Sequence, residues 1–165
     1  MKNKGFTILE LLVTIFIISI GILGASAAID KTLKLTSNYS SKLIAVFLTQ
    51  EGIEIVRNIR DGNFLEQRAS PTTPWNDGFV ACGDYEADYT MVDGLDDWNN
   101  RYLKTDGNGF YFYSDLAYPE TKFKRKITIS QIDPLNPDPN SRAVLVEVSW
   151  QDKTITAKEY LYNWQ

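Results

Sequence analysis

The sequence predicts an α+β protein in which one long N-terminal helix packs on a small antiparallel β-sheet. Three observations lead to this prediction: an uncharged apolar run at residues 11–29, an amphipathic helical pattern that continues to about residue 60, and strand-like alternation in the last third of the chain. These patterns divide the 165-residue chain into a basic start (1–5), an apolar helix half (6–30), an amphipathic helix half (31–62) and a head (63–165).

The apolar run from Leu11 to Ile29 contains 19 residues and no charged side chain. As a helix it is about 28 Å long, which is enough to cross a bilayer core of about 30 Å. Lys2 and Lys4 precede the run, so the positive-inside rule keeps the N-terminus in the cytoplasm and sends the C-terminus outward. Glu10 stands at the front of the run. A carboxylate is costly next to hydrocarbon, so we expect Glu10 to have a partner.

The second half of the helix is amphipathic, with apolar side chains at three- and four-residue steps between charged ones. These side chains form the predicted stripe: Tyr39, Leu43, Val46, Phe47, Ile53, Val56 and Ile59. The stripe predicts a helix face that covers the sheet. Asp61-Gly62-Asn63 is a typical stop signal, so we predict one helix from Phe6 to about Arg60.

Residues 63–109 show little periodicity and several turn signals, which predict an irregular segment. Eight carboxylates lie between Asp77 and Asp106 and raise the hypothesis of a calcium site. No EF-hand loop with its following glutamate occurs among them. We therefore interpret the segment as a solvated loop and predict neither a metal site nor a cofactor.

Residues 110–165 predict an antiparallel meander of three or four strands. It begins with the aromatic run Phe110–Tyr113, and outward-facing and core-facing side chains then alternate along Phe123–Ile129 and Val144–Trp150. Gln151-Asp152-Lys153 predicts a tight hairpin after the second of these. A sheet this small needs one covered face, and the helix stripe is available to cover it.

Side-chain chemistry limits the classes of function. The chain has no histidine, which is the commonest general base and metal ligand. Its single cysteine, Cys82, cannot form an intrachain disulfide, and we interpret it as a buried or half-buried apolar residue. The net charge is −4 and the head is acidic, so nucleic-acid binding is not predicted. One basic cluster interrupts the head: Lys122, Lys124, Arg125 and Lys126. Strand alternation puts its three lysines on one face, which we interpret as a solvated sheet face, and puts Arg125 on the other face with Phe123, Ile127 and Ile129. No enzyme activity is predicted.

Local patterns at the N-terminus leave several interpretations open. The basic start, the apolar run and Ala25-Ser26-Ala27 fit a secretory signal peptide that is cleaved after Ala27. An uncleaved membrane anchor fits the same run. Thr7-Ile8-Leu9-Glu10 also matches a capping box, in which Glu10 only starts its own helix.

The residues Lys4-Gly5-Phe6-Thr7-Ile8-Leu9-Glu10, placed before such a run, resemble the class III signal of type IV pilins and type II secretion pseudopilins. This resemblance implies the pilin fold, with 1–5 as a leader peptide that prepilin peptidase removes between Gly5 and Phe6. It also implies methylation of the new Phe6 amine. That amine and Glu10 are opposite charges, and their pairing between neighbouring subunits would satisfy both.

The function that the resemblance implies is that of a structural subunit, a major or minor pilin, of a pilus-like or pseudopilus filament. Its implied partners are other pilin subunits, prepilin peptidase and a pilus assembly platform. Its implied location is the inner membrane before assembly, with the N-terminus cytoplasmic, and then an extracellular or periplasmic filament. The alternative is a membrane-anchored or secreted extracytoplasmic binding domain, lectin-like for example.

Overall fold

The computed structural model describes residues 5, 7–91 and 93–164. Within them, one helix precedes seven strands: α1 (Ile8–Glu66), β1 (Gly83–Glu86), β2 (Asp96–Asp97), β3 (Lys104–Thr105), β4 (Tyr111–Phe112), β5 (Phe123–Ser130), β6 (Ser141–Trp150) and β7 (Lys153–Tyr162). The chain divides into two units, Met1–Lys42 and Leu43–Gln165, with the division inside α1. We call the second the C-terminal unit.

A five-stranded antiparallel sheet in the order β2-β1-β5-β6-β7 forms the centre of the C-terminal unit. The register of β5 on β6 runs from Phe123 opposite Trp150 to Ser130 opposite Ala143. Strands β6 and β7 pair from Trp150 opposite Lys153, which confirms the predicted tight hairpin. The predicted α+β architecture, a long N-terminal helix followed by an antiparallel sheet, is confirmed.

The alternation predicted for β5 and β6 is also confirmed. Every second side chain of β5, starting at Phe123, is buried, while the side chains between them are partly exposed. On β6 the buried positions of the same face include Val144, Val146 and Val148. These side chains form one core with the buried face of α1. Because strand side chains point alternately to opposite faces, the other face of the sheet is left to solvent.

The predicted helix stripe is wrong in its phase. Tyr39, Leu43 and Phe47 are each more than half exposed, whereas Val56 and Ile59 are buried as predicted. The helix face that packs on the sheet combines large and small side chains: Ala45, Leu48, Thr49, Gly52, Ile55, Val56, Ile59 and Phe64. Small residues allow the helix backbone to approach the sheet closely, and a pattern that counts only large apolar residues does not register them.

The predicted end of the helix is also wrong. Helix α1 continues through Asp61-Gly62-Asn63 and ends at Glu66. The Asn63 amide donates hydrogen bonds to the carbonyl oxygens of Trp75 (3.1 Å) and Asp77 (3.0 Å), and Phe64 is buried in the core. These tertiary contacts stabilise another helical turn, so they outweigh the local stop signal.

The segment 63–109 is not wholly irregular, because β1, β2 and β3 lie within it. Strand β1 pairs with β5, with Tyr85 opposite Ile127, and extends the main sheet beyond the predicted three or four strands. The aromatic run Phe110–Tyr113 contributes β4, which pairs with β3 in a separate two-stranded sheet rather than in the meander. These strands are only two to four residues long. Strands of that length carry too little periodicity to be recognised.

Candidate assembly site on the N-terminal helix

Helix α1 begins at Ile8, after the predicted start at Phe6. Thr7 precedes the first helical residue, and its Oγ1 accepts a hydrogen bond from the Glu10 backbone N–H at 3.2 Å. This bond is the N-terminal half of a capping box and satisfies one N–H group that has no partner inside the helix. The local role of Thr7 in starting the helix is therefore present in the structure.

The Glu10 carboxylate itself is exposed. Across residues 5, 7–91 and 93–164, no hydrogen bond or ion pair reaches that carboxylate. Gly5 is also exposed, and no atom lies within 4 Å of the position where a Cβ would stand. Phe6, the predicted site of cleavage and methylation, lies outside the described residues, so the pairing of Phe6 with Glu10 stays a prediction.

The side chains that follow Glu10 form an exposed apolar surface. Leu12, Phe16 and Leu23 are 62%, 66% and 70% exposed, and none of the most apolar window of α1 is buried. By length and composition the helix is able to cross a membrane. Two hydroxyl groups in this stretch form local hydrogen bonds. Thr14 Oγ1 donates to the Glu10 carbonyl at 2.7 Å and Ser19 Oγ to the Ile15 carbonyl at 2.8 Å.

A second apolar surface lies in the C-terminal unit beside the helix. A groove of about 520 Å³ is lined by Ile44, Phe47, Leu48, Glu51, Gly109, Phe110 and Tyr111. Phe47 and Phe110 are 58% and 56% exposed. Large exposed aromatic side chains of this kind mark surfaces that contact other proteins.

The predicted basic cluster is divided by the sheet. Arg125 is fully buried on the core face, where its guanidinium pairs with Glu51 at 2.9 Å and donates to the carbonyl oxygens of Leu48 (3.1 Å) and Ala87. On the opposite face, the Lys126 Nζ pairs with Glu147 at 2.9 Å, and this hydrogen bond raises the pKa of Lys126. Arg125 is thus a core residue. This agrees with the predicted alternation of β5, which places Arg125 on the same strand face as Phe123 and Ile127.

The other reactive side chains do not form a metal centre. No group of three His, Cys, Asp or Glu side chains in the described part of the chain is arranged to hold an ion. Glu86 and Asp88 are buried, but Arg101 binds Glu86, and the Tyr113 and Thr90 N–H groups bind Asp88. Cys82 is exposed, so the prediction that it is buried or half-buried is wrong. It directly precedes β1, at an outer turn.

Comparison with protein families identifies the N-terminus. Residues 1–26 match the family model described as the prokaryotic N-terminal methylation motif. This motif is a class III signal and the hallmark of type IV pilins and pseudopilins, and it is typical of structural, non-enzymatic proteins. Searches of curated proteins and of solved structures returned no significant match.

The chain therefore carries the N-terminal signature of the type IV pilin and pseudopilin class, on a long helix followed by an antiparallel sheet. The motif supports a pilin-like precursor that is processed by prepilin peptidase and then assembles with other pilins. Together with the apolar helix, it supports membrane anchoring followed by an extracellular filament.

Proposed function

We propose that this chain is a structural subunit of a type IV pilus-like or type II secretion pseudopilus filament. Prepilin peptidase cuts between Gly5 and Phe6, the Phe6 amine is methylated, and subunits then assemble through α1. The observation that carries the proposal is the methylation motif at residues 1–26, which includes the first part of an exposed helix that is able to span a membrane. The inner membrane holds the subunit before an assembly platform transfers it to the filament.

The role of Glu10 in this proposal is electrostatic. Its carboxylate is exposed at the front of an uncharged apolar surface and has no partner within the described part of the chain. Cleavage after Gly5 would create an α-amine, which is a cation near neutral pH. A contact between the two charges of neighbouring subunits would become buried in a helix bundle. Removal of one member of a buried pair costs about 3–5 kcal/mol, so the contact would also disfavour a misplaced subunit.

The apolar groove beside α1 supports the same function. Phe47 and Phe110 expose more than half of their surface in the isolated chain, and assembly would remove this area from water. Burial of a large apolar side chain contributes about 1.5–3 kcal/mol. On this proposal, the exposed side chains of α1 contact neighbouring subunits rather than the sheet: Tyr39, Leu43 and Phe47.

The test is a comparison of Glu10→Ala, Glu10→Gln and Glu10→Asp in cells that assemble the filament, with sheared surface filaments measured against membrane-retained monomer. We expect the Ala and Gln variants to be cleaved and inserted but to assemble poorly, since both lack the negative charge. The Asp variant keeps the charge and should retain more assembly than either. Neighbouring subunits that carry their own glutamate can mask the defect, so the variant should be the only pilin expressed.

Two outcomes would contradict this role. If Glu10→Gln polymerises normally, assembly does not need the negative charge, and a local role at the helix start, which glutamine also fills, is sufficient. If Thr7→Ala, which removes the observed cap but leaves the charge, impairs assembly as strongly as Glu10→Ala, then the start of the helix rather than the carboxylate decides assembly.

A further inference from the structure

The solvent face of the sheet carries a trough beside the first half of β5. The segment Trp98–Tyr102 leads into Leu103, whose N–H donates to the Phe123 carbonyl at 2.9 Å. The Thr121 N–H donates back to the Leu103 carbonyl at 2.8 Å. Side chains along this segment alternate between the two faces. Leu103 is fully buried and Arg101 binds the buried Glu86, so Trp98 and Tyr102 remain on the outer side.

Two neighbouring hollows form the trough, with volumes of about 230 and 240 Å³. Lys124 and Ser149 line both, so the two hollows adjoin on the sheet face. The remaining side chains on this outer face include an aromatic at each end, with amide, hydroxyl, ammonium and carboxylate groups between them: Trp98, Tyr102, Asn100, Thr154, Lys126 and Glu147.

The polar groups of the trough are held in place before any ligand binds. Lys124 Nζ lies 4.3 Å from the Tyr102 ring centroid and donates to Asn100 Oδ1 at 2.9 Å. Lys126 Nζ pairs with Glu147 at 2.9 Å. Fixed polar groups around a concave surface orient a ligand with little loss of side-chain entropy.

We propose that this trough binds an oligosaccharide. A pyranose ring has an apolar C–H face and a rim of hydroxyl groups that both donate and accept hydrogen bonds. The Trp98 ring can stack on the apolar C–H face of the sugar, where an aromatic side chain contributes a large contact area. The sugar hydroxyl groups can bond to the amide of Asn100 and to the hydroxyl groups of Ser149 and Thr154. The four residue steps from Trp98 to Tyr102 span at most about 13 Å, which is the length of two to three sugar rings.

The charges of the trough distinguish a saccharide from a nucleic-acid strand. Aromatic side chains and lysines also occur in single-strand binding grooves, where the lysines meet phosphates. Here the Lys126 charge is already neutralised by Glu147 at 2.9 Å, and Asp84 lies 3.9 Å from the same ammonium. Lys122 and Lys124 also line the trough, so its net charge is positive, but the Glu147 carboxylate stands among these lysines and would repel a phosphate chain that runs along them. Hydroxyl groups, by contrast, can donate to carboxylates and accept from ammonium groups.

The test measures binding of neutral and uronic-acid tetrasaccharides to the full chain by calorimetry, in a detergent whose head group is not a sugar. We expect at least one tetrasaccharide to bind with a Kd on the order of 0.1–1 mM, as suits a shallow site. Trp98→Ala, which removes the stacking surface, and Ser149→Trp, which fills the trough from its floor, should each weaken binding at least tenfold.

Tyr160→Ala is the matched control, because Tyr160 is an exposed aromatic on the same sheet face of β7 and lies outside the trough. It should leave the Kd unchanged, and near-ultraviolet circular dichroism should show that all three variants are folded. The proposal is overturned if no tetrasaccharide binds below 10 mM. It is also overturned if both trough variants bind like the wild type, or if an oligothymidylate binds and the saccharides do not.

Discussion

At the scale of single residues, Tyr113 shows how burial changes the chemistry of a side chain. Its hydroxyl donates to the Arg125 carbonyl at 2.9 Å inside the core, and burial raises the pKa of Tyr113 to about 12. An unfolded tyrosine has a pKa of about 10. The protonated phenol therefore stabilises the native state fully below pH 10, and this contribution is lost as the pH rises from about 10 to about 12.

We expect the free energy of unfolding of the wild type to fall between pH 10 and pH 12 by about 2 kcal/mol more than that of Tyr113→Phe, which has no ionisable group there. Urea unfolding of the detergent-solubilised chain at several pH values gives the comparison. Tyr160→Phe, at an exposed position, should follow the wild type. If the free energies of unfolding of the wild type and Tyr113→Phe fall equally between pH 10 and pH 12, the phenol is not buried in solution.

Gly5 is the residue at which we propose that the leader peptide is cut. Prepilin peptidase needs a small residue at the cut, so Gly5→Leu should leave an unprocessed chain in the membrane. Intact mass should show that the wild type begins at Phe6 with one added methyl group. Gly21→Leu places the same side chain at an open position of α1 and should be processed normally. A wild-type chain that begins at Met1 or Ala28 would favour an ordinary anchor or signal peptide.

At the scale of elements, Gly52 sets the distance between α1 and the sheet. A Cβ at this position would stand 2.7 Å from Val146 Cγ1 and 3.1 Å from Arg125 Cδ, closer than packed atoms approach. Gly62 lies in the same helix, but no atom lies within 4 Å of its Cβ position. The two glycines thus share a helix and differ in their surroundings.

We expect opposite effects from the same substitution at these two positions. Alanine is a better helix former than glycine by about 1 kcal/mol, so Gly62→Ala should stabilise the C-terminal unit by about 0.5–1 kcal/mol. Gly52→Ala should destabilise it by about 1–3 kcal/mol, because overpacking outweighs the gain in helix propensity. The measurement is the melting temperature of each variant relative to the wild type. If Gly52→Ala raises the melting temperature, the helix lies farther from β6 than the structure places it.

At the scale of the whole molecule, the C-terminal unit begins at Leu43 and contains the core formed by α1 and the sheet. We expect a truncated chain beginning at Lys31 to be soluble and to unfold cooperatively, because it keeps every buried helix residue from Ala45 onward. A chain beginning at Arg57 is the control. It lacks Leu48, Gly52 and Ile55, so the sheet loses its cover and should not fold. Aggregation or gradual melting of the longer chain would place the boundary elsewhere.

Patterns with a local cause could be read from the sequence alone. The class III signal depends on a few adjacent residues, the membrane helix on the absence of charge over residues 11–29, and the strands β5 and β6 on a period of two. All three rest on the chemistry of neighbours in the chain. The family motif confirms the class III signal, the structure confirms the two strands, and α1 is long and apolar enough to cross a membrane.

The tertiary structure alone decided the features that depend on distant parts of the chain. The face of α1 that is buried is the one on which Gly52 lets the helix approach the sheet closely. The last helical turn is stabilised by hydrogen bonds from the Asn63 amide to residues beyond the helix. The alternation of β5 places Arg125 on the core face, but only the tertiary structure supplies its partners, the Glu51 carboxylate and two backbone carbonyls. Strand β1 becomes regular only when β5 supplies its hydrogen bonds. No local pattern encodes these partners, since each lies far away in sequence.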